Sequence, residues 1–292
     1  MPARPVIELV EAARSPRVSL ERLDAIWFQI TGTLCNLACR HCFNASGPRE
    51  PWLAPLDGAT VRRTIAEAER LGVREFYFTG GEPFLHPEIL DLLDAALTVA
   101  PTTILTNGTL VDEAMADGLV TIAGRSLYSL EVRVSLDGVT AEENDRLRGR
   151  GSFASALAAI QRLHRRCLYP IVTATELAGR ASLYDDLRSM LVTAGVDRPR
   201  IKILPVLPVG RCGARATPQR LVPQDLEGFD VTRLQCTESR AVAAGGVYAC
   251  PILAGLPSAR VGGDLGASLG SIPLDHPACV TCRQTGLTCK NS

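Results

Sequence analysis

Six times between Ala25 and Leu204 a short run of strand-forming residues gives way to a helical period, and no other feature limits the possible folds so far. The strand runs are Ala25–Thr31, Arg74–Thr79, Thr102–Thr106, Leu130–Ser135, Pro170–Thr175 and Arg200–Leu204. Between them, Asp57 caps a helix through Leu71 that stops at Gly72, and Pro87 sits where the first turn of a helix to about Val99 accepts it. Further helical stretches cover Asp112–Ala123, Ala141–Leu147, Phe153–Arg166 and Leu183–Ala194. Strands alternating with helices make βαβ units and a parallel sheet. Six rounds predict an α/β fold, a partial (β/α)6 barrel with its active face on the loops that leave the strand C-termini.

After Pro205 the helical period disappears and Pro, Gly and Cys become frequent, which predicts a small Cys-rich module. The expected organisation is an N-terminal extension over 1–23, with a short helical stretch from Ile7 to Arg14, a barrel over 24–209 and the module over 210–292. At 292 residues and 46% hydrophobic composition the chain can bury such a core. Lys+Arg and Asp+Glu both total 31, which argues against an electrostatic nucleic-acid binder. Arg62-Arg63 and Arg165-Arg166 read as solvated helix faces. The sequence has neither a signal-peptide pattern nor an apolar run of the roughly 18 to 20 residues that crosses a bilayer. A cytoplasmic address, without membrane or nucleic-acid partners, is expected; there Cys serves metal or catalysis more than disulfides.

Ten Cys are therefore informative. Cys35-x3-Cys39-x2-Cys42 occupies the loop after the first strand. Thiolates so spaced can wrap one soft-metal centre, and a cubane held by three of them keeps one iron open. A zinc knuckle or three structural thiols is the plainer alternative, but structural zinc wants four ligands. His41, between Arg40 and Cys42, has little slack to turn inward as a fourth. Cys167 reads as a small buried hydrophobe, and His86, His164 and His276 as structural.

With Gly80-Gly81-Glu82-Pro83 ending the second strand, the Cys run resembles the radical S-adenosylmethionine (SAM) superfamily over roughly residues 24–210. The run Val134–Gly138, with Asp145, Arg148-Gly149 and Gly151–Phe153, is similar to the branch carrying SPASM or twitch extensions. The resemblance implies that Cys35, Cys39 and Cys42 hold a catalytic 4Fe–4S cluster whose open iron chelates SAM. It implies that Gly80, Gly81 and Glu82 cradle the SAM amino group, and that Ser135 and Asp137 bond its ribose or methionine part. Arg148 then pairs with the SAM carboxylate, as a guanidinium suits, and Asn107 borders the same pocket. Without the Cys run, Gly80–Glu82 is an ordinary turn and Arg148 a surface charge.

Cys236-x13-Cys250 and Cys279-x2-Cys282 resemble the twitch or SPASM hairpin with its downstream pair, which implies one auxiliary 4Fe–4S cluster. Cys289 can replace Cys282 as ligand, Cys212 lies at the domain junction within reach of either site, and a structural zinc ribbon fits the same spacing.

The resemblance implies reductive SAM cleavage to a 5′-deoxyadenosyl radical and hydrogen-atom abstraction from substrate. A two-electron oxidation or rearrangement of a small natural-product-type molecule, such as an alcohol on an aminocyclitol or sugar, fits one auxiliary cluster. The alternative is a peptide maturase that crosslinks or alters a residue of a ribosomally made precursor. The 24 residues before the first strand are too few for an added recognition domain, which weighs against it, although a separate protein can supply recognition. A zinc-stapled binding module without activity conflicts with the Cys run and GGEP together. A methyltransferase would need machinery that the sequence does not display. The implied partners are a small-molecule or peptide substrate and a low-potential electron donor of flavodoxin or ferredoxin type. No residue stands out as a general base; the loop 44–55 is a candidate substrate contact.

Overall fold

A computed structural model describes residues 15–49, 51–176, 181–215 and 219–286. The segment from Ile7 to Arg14 and Cys289 lie outside the described residues.

Strand β1 is Arg17–Val18 and β2 is Ala25–Gln29; after the Cys loop come α1 (Gly58–Arg70), β3 (Glu75–Thr79), α2 (Ile89–Leu97), β4 (Thr102–Thr106), α3 (Glu113–Arg125) and β5 (Leu130–Ser135). Two helices, α4 (Ala141–Arg148) and α5 (Ser152–Arg165), precede β6 (Ile171–Glu176), α6 (Leu183–Thr193) and β7 (Arg200–Pro205). The last third adds β8 (Ser239–Ala243), β9 (Gly246–Tyr248), β10 (Arg260–Gly262), β11 (Ile272–Pro273) and α7 (Pro277–Thr285), joined by short 3-10 turns.

Strands β2 to β7 lie in chain order and pair in parallel, the partial six-stranded barrel expected from the alternation. The Asp57 cap agrees with the sequence, accepting from Thr60 N; Asp112, expected as the first helical residue, instead caps α3 by accepting from Met115 N. The first strand ends at Gln29 rather than Thr31, because Gly32 N turns back to Gln29 O and Leu34 N to Thr31 O. Cys167 is exposed rather than buried: it follows the end of α5 in a left-handed conformation (φ 59°), which turns it out of the core.

Successive strand residues face opposite sides of the sheet. One set (Ile26, Phe28, Phe76, Phe78, Ile104, Val132, Val134) packs beneath the helices in the main core. The other set (Trp27, Tyr77, Leu105) faces the barrel interior, where Ile252 and Leu253 of the last third close over it. The sheet does not end at β2. Strand β8 pairs with it in parallel, Ala25 to Phe28 against Ser239 to Val242, and β9 and β10 continue antiparallel, making nine strands. β1 pairs with β11 in a separate two-stranded ribbon. Among the described residues no helix is long and apolar enough to cross a membrane.

Candidate iron–sulfur and SAM site

The strands β2 to β6 end at Gln29, Thr79, Thr106, Ser135 and Glu176, so the loops that follow meet over one end of the barrel. The Cys loop is fixed first by backbone: Cys35 N donates to Gly47 O, Cys42 N to Cys39 O and Arg40 N to Leu147 O. A strap after β7 clamps it from outside. Arg211 N donates to Cys42 O at 3.0 Å, and its guanidinium reaches Cys39 O at 2.8 Å and Ser46 O at 2.6 Å.

The three thiols open onto a cavity of about 220 Å³, together with Gly80, Gly81, Asn107, Ser135 and Arg148. Gly80 and Gly81 are there because nothing larger fits. A Cβ on Gly80 would stand 2.6 Å from Thr31 Oγ1, and one on Gly81 2.0 Å from Leu34 O. The strand end can therefore lie directly against the Cys loop and present bare backbone to the cavity.

Two carboxylates expected to touch SAM are bonded to the wall of the cavity in this structure. Glu82 is fully buried; it accepts from Thr106 Oγ1 (2.7 Å), Asn107 N (2.8 Å) and Phe84 N (3.2 Å). Burial pushes its carboxyl up to about 7. Asp137 accepts from Arg148 Nε at 2.5 Å and Thr175 N at 2.7 Å, and pairs with His41 Nε2 at 2.9 Å. Burial works against its charge, but the Arg148 guanidinium and then His41 outweigh it and hold the carboxyl well below the usual range. Arg148, with Nε so engaged, also lines the cavity.

The donor set suits a cluster. Leu37 N points at Cys35 Sγ (3.4 Å), Ser46 N at Cys42 Sγ (3.3 Å) and Asn107 Nδ2 at Cys35 Sγ (3.8 Å), the N–H contacts that support metal-bound sulfur. Burial pushes the Cys35 thiol up to about 12, so as a free thiol it keeps its proton and a metal must displace it. Among the described residues seven buried side-chain atoms lack a hydrogen-bond partner, and four of them (Trp27 Nε1, His41 Nδ1, Ser46 Oγ, Thr173 Oγ1) belong to residues lining this cavity. Such a concentration fits a polar ligand.

A second pocket lies behind the first. Cys236 and Cys250 flank the hairpin β8–β9, Cys279 and Cys282 lie one turn apart on α7, and all four line it with Leu234, Ile252 and Leu274. Burial, then the neighbouring Cys250, pushes the Cys279 thiol up to about 12. Cys212 is buried and lines neither pocket. Among the described residues no three metal-binding side chains converge tightly enough for a single ion; what each Cys set shares is a space. Ile252 lines both pockets, and Pro251 and Ile252 form part of the first one's wall.

Sequence reasoning missed His41 as partner of Asp137, the Arg211 strap, and Arg133, Thr173 and Thr175 of the inner wall. Only the inward phase of β5 and β6 signals the last three.

Comparison with known proteins adds the following. Residues 30–186, more than half of the chain, match the family model of the radical SAM superfamily. Over 130 residues the chain is 38% identical to the mycofactocin maturase MftC of Mycobacterium ulcerans, covering 44% of this chain and 33% of that protein. It is 34% identical over 131 residues to the antilisterial bacteriocin subtilosin biosynthesis protein AlbA of Bacillus subtilis, covering 44% and 28%. These matched stretches span only about a third of the relatives' own length. Among solved structures, Streptococcus suis SuiB bound to precursor peptide SuiA has a similar fold, with a TM-score of 0.65 at 15% identity over 94% of this chain and 69% of that one.

Proposed function

This chain belongs to the radical SAM superfamily, and on that footing we propose that it matures a peptide, taking a hydrogen atom from one of its residues. A cluster bound there would supply the electron for reductive cleavage of SAM to methionine and a 5′-deoxyadenosyl radical. Cys35, Cys39 and Cys42 are the ligands in this reading. Gly80 and Gly81, whose missing side chains let β3 end directly against the Cys loop, would offer backbone carbonyls to the SAM ammonium. Arg148, aimed by Asp137, offers its fork to the SAM carboxylate. Asn107 and Ser135 bond the remaining polar groups, while Glu82 holds Asn107 and Thr106 in place.

Cys236, Cys250, Cys279 and Cys282 would hold the auxiliary cluster, and Ile252 lines both their pocket and the cavity. That shared lining residue supports an oxidation, and the kinship with maturases carries the choice of a peptide. An auxiliary cluster there would accept the second electron from a substrate that has already given up a hydrogen atom and loses a proton to solvent, a net two-electron oxidation. A peptide crosslink is such a product. Oxidation of a small natural-product-type alcohol would use the same parts. The relatives favour the peptide: one is named a maturase, one a bacteriocin biosynthesis protein, and the third is solved with a precursor peptide. A flavodoxin- or ferredoxin-type donor in a reducing cytoplasm completes the scheme.

The test is anaerobic reconstitution, iron, sulfide and zinc analysis, then turnover with SAM, reductant and a library of synthetic peptides. Two clusters' worth of iron and a peptide that loses hydrogen as 5′-deoxyadenosine forms are expected. Oxidation of sugars or aminocyclitols with every peptide untouched would overturn the substrate class. Zinc in place of half the iron would remove the second electron acceptor.

A further inference from the structure

Arg240, on β8, has no exposed surface and is the largest fully buried side chain among the described residues. Its guanidinium donates to Cys236 O (2.7 Å), Ser239 O (2.8 Å), Ser268 O (2.9 Å) and Gly270 O (3.1 Å), all of them backbone carbonyls. Among the described residues no carboxylate pairs with it. Hydrogen bonds to neutral carbonyls satisfy its donors but leave its charge in a poorly polarisable interior, where charges are found paired or beside a metal centre. The thiols of Cys236 and Cys250 lie within its electrostatic reach, and its guanidinium holds Cys236 directly by the backbone carbonyl. A tetrathiolate iron–sulfur centre is anionic in both oxidation states, and more so when reduced.

We infer that Arg240 is the built-in counter-charge of the auxiliary cluster, a positioning residue that favours the cluster's loading and raises its reduction potential. The inference rests on the assignment of Cys236, Cys250, Cys279 and Cys282 to that cluster. It gives the hairpin strand β8 an electrostatic role besides bracketing two ligands. Arg240 holds Cys236 by its carbonyl and supplies the positive charge that the extra electron needs. The same cation, uncompensated, disfavours the metal-free module.

The experiment uses the full chain with Cys35, Cys39 and Cys42 replaced by Ala, so that only the second site binds iron. Arg240→Gln keeps hydrogen-bonding capacity without charge, and Arg240→Lys keeps charge without the fork. Potentiometric titration followed by electron paramagnetic resonance reads the potential. Arg240→Gln is expected to shift the oxidised-to-reduced ratio about tenfold or more toward oxidised, a fall of about 59 mV for one electron, with Arg240→Lys recovering most of it. Equal potentials in all three forms would overturn the inference while leaving the cluster assignment intact. If Arg240→Gln takes up no iron, uptake by Arg240→Lys supports the charge role, and equal failure of both assigns Arg240 to carbonyl bonding alone. No iron in the parent form would instead overturn the cluster assignment.

Discussion

Asn144 shows how one buried amide can organise a site from which it is absent. It has no exposed surface; its Oδ1 accepts from Asp137 N at 3.0 Å, and its Nδ2 donates to Ser152 Oγ at 2.8 Å. It therefore ties the end of β5, where Asp137 aims Arg148 and His41, to the first turn of α5. Asn144→Ala leaves buried groups without partners and should cost about 1–3 kcal/mol in denaturant unfolding of the metal-free protein. A second residue-scale effect is pH-dependent. Glu82 has a carboxyl raised from 4.5 to about 7 by burial. Because the folded value lies above the unfolded one, its contribution is fully present below about pH 4.5 and is lost as pH rises through 7. Glu82→Gln should flatten the stability profile of the metal-free protein between those values, by up to about 3 kcal/mol. An unchanged slope would show that Glu82 titrates normally.

At the scale of elements, the site is a junction of strand ends rather than the property of one loop. The Cys loop is gripped on the inside by the bare Gly80–Gly81 end of β3 and on the outside by Arg211 after β7. Gly81→Ala would drive a methyl to 2.0 Å from Leu34 O. Either the loop or β3 must move, and the variant should lose SAM cleavage even where iron binds. Arg211→Ala removes bonds to Cys39 O and Ser46 O without touching a thiol. It should lower iron retention at the first site severalfold under chelator challenge, with unfolding changed by no more than about 1–2 kcal/mol. If retention matches the parent, the strap is only a connection between modules.

At the scale of the molecule, the last third completes the barrel sheet. Strand β8 covers the β2 edge from Ala25 to Phe28, and Ile252 and Leu253 pack on the interior face over Trp27 and Tyr77. Cutting the chain after Val209 would leave a buried parallel strand as an open edge beneath exposed apolar residues, an aggregation-prone arrangement. The truncated chain should elute as aggregates in size-exclusion chromatography rather than as an independent barrel. A monodisperse product with cooperative melting would show that the sheet closes without β8.

Much of this architecture was legible in the order of residues. Capping places α1 behind Asp57 and the helical period places α3 to within a residue of its start, because helix ends and strand alternation are decided by neighbours within a few positions. The thiol spacing and the GGEP turn were legible for the same reason, since each is a pattern of residues close along the chain. The roles of Glu82 and Asp137 were not. The chain shows two acids near a ligand site, and only the fold reveals that each is already bonded to the wall. Nor could sequence spacing bring Arg211 to Cys39, 172 positions away, seat β8 beside β2, or bury Arg240 behind Cys236. Local chemistry determined which elements form and which thiols are available. Long-range packing alone decided which charges face a cavity and which hold its walls, because burial and pairing are properties of the assembled interior.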